Sequence, residues 1–285
     1  MYSPGSSSTV CYHKDGDSLG KEGRPIITLT TDFGEGHYAG ALKGAILDVC
    51  PDASIVDITH NVASHDILEG AFNLLCCYSY FPAGTVHLAV VDPGVGSDRR
   101  GLVVATDKYS FVGPDNGLFS FIYNRETAHR VFSIEKETYL RQPVAPTFHG
   151  RDVFAPVGAW LVRGTEPEAF GPEIKDFVKT ATLQVEKREP DRLEGEVAYV
   201  DKFGNIITSI TPENVSELLD RNGSPRILVN GRQIARHHRF YAEAPPEELF
   251  SLVGSSGYYE ISVAGQRAAD ILGVKRGHKI QLEMD

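Results

Sequence analysis

The chain has 285 residues, enough for one large domain or two with a substantial core. It is 41% hydrophobic and 23% charged, and no apolar run approaches membrane-spanning length, which excludes a transmembrane bundle. The net charge of −10 argues against a general nucleic-acid surface, which needs clustered Lys and Arg, and is permissive toward a cationic ligand.

Residues Met1 to Arg24 are rich in Ser, Gly and charge, with no periodic apolar pattern. They lack the apolar core of a secretory signal and the acid-poor, Arg-rich composition of a transit peptide, and read as a disordered tail. Order begins at Pro25. Ile26 to Thr30 reads as a strand, His37 to Val49 as a helix with Leu42, Ala45, Ile46 and Val49 on one face, Ser54 to Ile58 as a strand, Ile67 to Tyr80 as a helix and Thr85 to Val91 as a strand. This alternation predicts an α/β domain with a mainly parallel sheet covered by helices on both faces. Leu102–Ala105 and Tyr109–Val112 read as two strands joined by a turn at Asp107–Lys108, and a helical run passes through Trp160 and Val162. The charged, Pro-containing stretch Glu186 to Arg192 reads as a linker. From Leu193 onward the short strands Glu194–Val200, Ile206–Ile210, Arg226–Val229, Tyr258–Val263 and Lys279–Glu283 predict a smaller all-β C-terminal domain, with a hairpin turn at Asn230–Gly231. The expected organisation is therefore a tail (1–24), an α/β domain (25–185), a linker (186–192) and a β domain (193–285).

The four cysteines, Cys11, Cys50, Cys76 and Cys77, form no CxxC pair. That is neither a zinc pattern nor a disulfide framework, so a reducing cytoplasm is the expected location and Cys76 and Cys77 read as structural thiols.

The third strand runs into Asp92-Pro93-Gly94-Val95-Gly96, and Arg99 follows. Pro and Gly force a tight loop, leaving a carboxylate at a strand tip and a guanidinium seven residues on. Loops at the carboxyl ends of strands are where α/β proteins place ligand sites. The residues alone equally allow an Asp that caps a turn and a solvated Arg. Asp32, after the first strand, can accept ribose hydroxyls or cap the helix starting near His37. Asp32, His37, His60, His65, Asp92, His149 and Asp152 offer metal-ligand chemistry, but no HxH or HExxH spacing organises them and no metal is expected.

Six motifs then stand in order: TTDFG at Thr30–Gly34, VDPGVGSDR at Val91–Arg99, GPDNG at Gly113–Gly117, TFHGRDVFAP at Thr147–Pro156, DKFGN at Asp201–Asn205 and SSGYYEI at Ser255–Ile261. Together they resemble the S-adenosyl-L-methionine (SAM) hydroxide adenosyltransferase family, the SAM hydrolases, in the superfamily of fluorinases and chlorinases. The resemblance implies hydrolysis of SAM to adenosine and L-methionine by attack of water or hydroxide on ribose C5′, without a cofactor, in a homotrimer whose active site lies at the subunit interface. It implies a water-activating triad of Asp92, Arg99 and His149, ribose binding by Asp32, and binding of the methionine ammonium by Asp201 with Ser255. Adenine contacts fall to Phe203 and Asn205, and to the backbone at Val263 and Gly265.

The chemistry suits these side chains. A sulfonium leaves as a neutral thioether and needs no general acid, so the task is to deliver a partly deprotonated water in line with the C5′–S bond. Arg99 stays cationic, Asp92 can orient it and accept from water, and His149 can hydrogen-bond the nucleophile or take its proton. Three departures from the halogenases favour water: no long loop separates Arg99 from Leu102, Gly150 replaces a small hydroxyl residue, and Asp92 stands where the fluorinase has a tyrosine. His65 also replaces the aromatic that flanks adenine in halogenases. The alternatives are a SAM-dependent halogenase, a metal-dependent hydrolase and a non-catalytic SAM- or adenosine-binding protein.

Overall fold

In the computed structural model, which describes residues 24–180, 183–189, 191–216 and 225–284, the chain divides between Thr180 and Ala181 into two units. Of the expected tail, Met1 to Gly23 lies outside the described residues, as does Cys11.

The first unit runs β1 (Ile26–Thr31), α1 (His37–Val49), β2 (Ser54–Thr59), α2 (Ile67–Cys77), β3 (Val86–Val90), β4 (Gly101–Thr106), β5 (Ser110–Pro114), α3 (Ser120–Arg125), β6 (His129–Ser133), α4 (Ala155–Val162) and β7 (Glu173–Ile174). Its sheet has the order β2-β1-β3-β5-β4-β6-β7. β2, β1, β3 and β5 are mutually parallel, whereas β4, β6 and β7 join antiparallel. The sheet is thus mixed; β1, β2 and β3 are the parallel strands read from strand–helix alternation, and β5 joins them in parallel beside β3. The turn at Asp107–Lys108 is too short for a crossover, so it folds β4 back on β5, with Thr106 N donating to Tyr109 O (2.9 Å). β3 is buried along its whole length, as a strand flanked on both sides and covered on both faces must be. On one face Leu29, Leu88 and Val112 pack with Leu42 and Ile46 of α1 and Val157 of α4, while α2 and α3 pack together. Asp66 caps α2, its Oδ1 accepting from Glu69 N at 3.0 Å. Burial pushes the Cys76 thiol up to about 12, which keeps it protonated and unreactive.

Alternation along β3 turns His87 away from Leu88. Its ring is fully buried, stacked on Phe111 with centroids 5.1 Å apart, and its Nδ1 lies 2.7 Å from Thr28 Oγ1. Burial drives its pKa from 6.5 down to about 3, so the folded chain holds it neutral while the unfolded chain protonates it below 6.5. Stability is therefore unaffected above pH 6.5 and falls on acidification, by about 1.4 kcal/mol per unit, until the folded pKa is reached. Denaturant unfolding at pH 6.5 and 4.5 should show a loss of roughly 2–3 kcal/mol attributable to this group. His87→Asn, less stable at neutral pH, should lose correspondingly less on acidification; parallel losses in both proteins would clear His87 of the effect.

The second unit comprises β8 (Glu186–Glu189), β9 (Arg192–Val200), β10 (Ile206–Thr208), α5 (Pro212–Ser216), β11 (Pro225–Val229), β12 (Arg232–Ile234), β13 (Leu249–Val253), β14 (Tyr259–Val263), α6 (Ala268–Leu272) and β15 (Lys279–Met284). Its strands pair antiparallel in the order β12-β11-β15-β9-β10-β14-β13, with β8 added alongside β9. Beyond β12 the chain reaches β13, where Ser251 N donates to Arg236 O and His238 N to Ser251 O (both 2.8 Å), nearly closing the sheet. Asn230 and Gly231 both take positive φ (+46° and +75°), the two-residue hairpin turn that matches strand twist. The stretch read as a linker, Glu186 to Arg192, instead forms β8 and the first residue of β9. β8 is fully exposed and bonds its charges locally, as with Arg188 to Glu194 at 3.0 Å, so the charge that signalled a linker is that of a solvated edge strand.

Candidate active site

At the end of β3, Asn116 Nδ2 donates to Val91 O (2.9 Å) and holds the strand tip, and the next residue is Asp92. Arg99 returns to it: Nε donates to Asp92 Oδ1 at 2.9 Å and Nη2 to Oδ2, with the carboxylate 5% and the guanidinium side chain 10% exposed. The same Nη2 lies 2.9 Å from His149 Nδ1, and Phe154 lies against the guanidinium at 5.2 Å. Arg99 is thus the hub that joins two segments far apart in sequence.

Two devices bring those segments together. Gly96 has φ +81°, and a Cβ there would stand 2.4 Å from Pro146 O, so only glycine lets the Asp92–Arg99 loop press against the chain leading to His149. On the other side, fully buried Asp152 organises that chain: its Oδ2 accepts from Ala145 N (2.9 Å), its carbonyl from Arg141 N (2.9 Å), and Arg151 forks onto its carboxylate (2.6 and 2.7 Å). Burial alone would raise the Asp152 pKa, but Arg151 and the Ala145 amide hold it below the usual carboxylate range. His149 enters a single π-helical turn, Gly150–Phe154, that runs into α4; such turns recur at functional sites.

The geometry assigns the His149 tautomer. A guanidinium has only N–H to offer, so Nδ1 must accept from Arg99, and the neutral ring carries its proton on Nε2. Burial first, then the Arg99 charge, lowers the His149 pKa below 6.5 against the opposing pull of Asp92 and Asp152, so the ring is neutral at pH 7. It can then donate through Nε2–H to an oxygen nucleophile but not take its proton. The unshared lone pairs lie on Asp92.

Asp32 follows β1, which pairs with β3 through Thr31 and Val90, so the Asp32 and Asp92 loops leave neighbouring strand ends. Asp32 does not cap α1: the cap is Gly36, which makes no side-chain bond. Its Oδ2 instead accepts from His65 N at 2.9 Å, and His65 itself takes φ +67°. Beside His149, Phe148 packs edge-on to Phe33 (5.7 Å) and Tyr38 (5.2 Å). A Cβ on Gly150 would approach Phe33 Cζ to 3.1 Å.

In the second unit, Asp201, Phe203 and Asn205 share the β9–β10 turn. Asp201 Oδ1 accepts from Phe203 N (2.9 Å) and Asn205 N (2.8 Å), and Oδ2 from Asn205 Nδ2 (3.0 Å), which fixes the carboxylate. Phe203 is 63% exposed, unlike an aromatic used for packing. Ser255 is exposed in the β13–β14 turn, whereas the Val263 side chain lies in the core and leaves only its backbone for a ligand.

Sequence reasoning passed over Glu260. It is 5% exposed, its Oε1 accepting from Tyr241 OH (2.7 Å) and Ser262 Oγ (2.8 Å), and its pKa is raised by burial, with Asp201 adding to the rise. The available signal was an acid standing between Tyr259 and Ile261 in SSGYYEI. Conversely, Asp115 of GPDNG is structural, accepting from Arg100 Nε (3.0 Å) and Val178 N (2.8 Å). Among the described residues no group of three or more His, Cys, Asp or Glu side chains is placed to hold a metal ion, and no helix is long and apolar enough to cross a membrane.

Comparison with known proteins agrees over both units. Residues 27–171 match the SAM hydroxide adenosyltransferase N-terminal domain and residues 195–281 its C-terminal domain. A (R)-S-adenosyl-L-methionine hydrolase of Methanocaldococcus jannaschii is 36% identical, over 90% of this chain and 95% of its own. A fluorinase of Nocardia brasiliensis is more distant, 26% identical over 68% of this chain and 74% of its own. The crystal structure of an uncharacterized conserved protein from Thermotoga maritima superimposes with a TM-score of 0.83 at 32% identity, covering 90% of this chain and 99% of that one. The chain belongs to the SAM hydroxide adenosyltransferase family.

Proposed function

We propose that this chain hydrolyses (R)-S-adenosyl-L-methionine to adenosine and L-methionine. The observation that carries the reading is Arg99 bonded at once to Asp92 and His149, in a chain 36% identical to a protein named for that reaction. Water attacks ribose C5′ as the C5′–S bond breaks, and the bonding pair leaves on sulfur as neutral methionine thioether. Nε2–H of His149 and the Arg99 guanidinium orient the oxygen and favour its hydroxide character, and the departing proton passes to Asp92 and then to solvent. Asp32 binds the ribose hydroxyls, Asp201 with Ser255 the methionine ammonium, and Phe203, Asn205 and the backbone at Val263 the adenine. Halide transfer is disfavoured, because the Asp92 carboxylate repels an anion from the nucleophile's place.

The enzyme is further proposed to act in a reducing cytoplasm without a cofactor, as a homotrimer in which a second subunit completes each site. The family resemblance supports the trimer, and the absence of any CxxC pair supports the compartment.

The test is incubation of EDTA-treated protein with each SAM diastereomer, followed by chromatography. Equimolar adenosine and methionine from the (R) form is the expected result; binding without turnover would indicate a SAM-binding protein instead. Protonated His149 would turn an N–H toward Arg99, so kcat/KM should fall on acidification with an inflection below pH 6.5 and stay flat in this group's contribution above it. An inflection above pH 7 assigned to His149 would contradict its role as a neutral donor.

A further inference from the structure

Thr31 and His60 lie outside the constellation described above, yet they tie together the loops that follow β1 and β2. Thr31 is fully buried; its Oγ1 lies 2.8 Å from His60 Nδ1 and accepts from Phe33 N at 3.2 Å. His60 Nε2 stands 3.1 Å from Asp57 Oδ1, an ion-pair approach off the line of a hydrogen bond, and Asp57 Oδ2 accepts from Lys43 Nζ of α1 at 2.6 Å. The Asp57 carboxylate favours the His60 proton on Nε2, which leaves Nδ1 to accept from the Thr31 hydroxyl. The bonds then run in one sense, from the Phe33 amide to Thr31 and on to His60, and each polarises the next. Two backbone bonds and one from backbone to side chain close the same pair of loops: Gly34 N to His60 O (2.7 Å), Val62 N to Thr31 O (3.3 Å) and His65 N to Asp32 Oδ2 (2.9 Å).

Asp32 sits between the two ends of this clamp, one residue after Thr31 and one before Phe33. The His65 amide fixes its Oδ2 at the cost of an unfavourable φ of +67°, so the carboxylate direction is built in rather than left to solvent. We infer that His60 is a positioning residue for ribose recognition, acting through Thr31 to hold the Asp32 carboxylate in its binding direction. The inference rests on the functional reading above in taking Asp32 as the ribose ligand. His60 touches no substrate atom in this account.

A merely structural His60 would weaken every ligand alike, whereas a positioning role is confined to the ribose hydroxyls. The experiment is calorimetric binding of adenosine and of 2′,3′-dideoxyadenosine, which lacks the hydroxyls Asp32 accepts from, to the full chain and two variants. His60→Leu removes both imidazole contacts, while His60→Asn retains an acceptor near the Nδ1 place. Wild type should prefer adenosine. His60→Leu should lose about tenfold of that preference, the scale of one charged hydrogen bond, with dideoxyadenosine affinity unchanged, and His60→Asn should largely restore it. An unchanged preference in His60→Leu, or equal weakening of both nucleosides, overturns the relay alone. A wild type that binds neither nucleoside overturns the functional reading and the relay with it. Should His60→Leu not fold, Thr31→Val against Thr31→Ser makes the same comparison, with valine expected to lose the preference and serine to keep it.

Discussion

Replacing His149 with alanine should lower kcat by roughly 10²- to 10³-fold, the usual effect of removing one preorganised donor at a reacting oxygen. SAM binding should stay within about threefold of wild type, because the ligand contacts proposed for Asp32, Asp201 and Phe203 do not pass through the imidazole. Asp92 is a less clean target. Its removal strands the Arg99 guanidinium, only 10% exposed, without its carboxylate, and breaking a buried pair costs about 3–5 kcal/mol. Loss of activity in Asp92→Ala would therefore mix chemistry with misfolding, and thermal melts must accompany its kinetics. Single-turnover adenosine formation, with calorimetric SAM binding alongside, decides the matter for His149. An unchanged rate in His149→Ala removes it from the reaction. Because the three groups act as one hydrogen-bonded unit, His149→Ala combined with Asp92→Asn should cost far less than the sum of the single effects.

Gly96→Ala should damage catalysis without touching any reacting group. An L-residue at φ +81° costs about 1–2 kcal/mol, and its Cβ meets the Pro146 carbonyl at 2.4 Å, so the loop or the segment leading to His149 must move. Misplacement of about 1 Å between reacting groups can cost 10²-fold in rate. We therefore expect kcat to fall about 10- to 100-fold, with a melting temperature lower by a few degrees. Gly94→Ala is the control in the same loop: its backbone is not left-handed, and the nearest atom to its Cβ would be Ser97 Oγ at an ordinary 3.5 Å. Equal behaviour of the two variants would mean that close packing on Pro146 does not set the triad.

What the sequence made legible follows from local rules. β1, α1, β2, α2 and β3 announce themselves by periodicity, and Asn230–Gly231 by the positive φ it must adopt. β8 was missed because an exposed edge strand carries too much charge to alternate cleanly, and β6 because His129 and Arg130 open a strand whose buried part is only Val131–Ser133; Arg130 pairs with Glu168 and Glu173. The division between the units falls after Thr180, where the irregular segment is fastened to the first unit through Val178 N on Asp115 (2.8 Å) and Thr180 N on Ser120 Oγ (2.9 Å). At the site, the motifs pointed to Asp92, Arg99 and His149, but no spacing rule could specify a contact across fifty residues. The Gly96–Pro146 approach and the His149 tautomer depend on tertiary geometry and have no signature in the chain.

The strand order β2-β1-β3-β5 carries a consequence of its own. From β1 the chain first winds outward to β2, then doubles back past its starting strand to lay down β3 on the opposite flank. The connections that leave β1 and β3 therefore part in opposite directions along the sheet, one to β2 and the other past β5 to β4. Asp32 opens the first of these connections and Asp92 stands at the start of the second. Their nearness is a by-product of the order of winding, set by the parallel pairing of β1 with β3 beneath them.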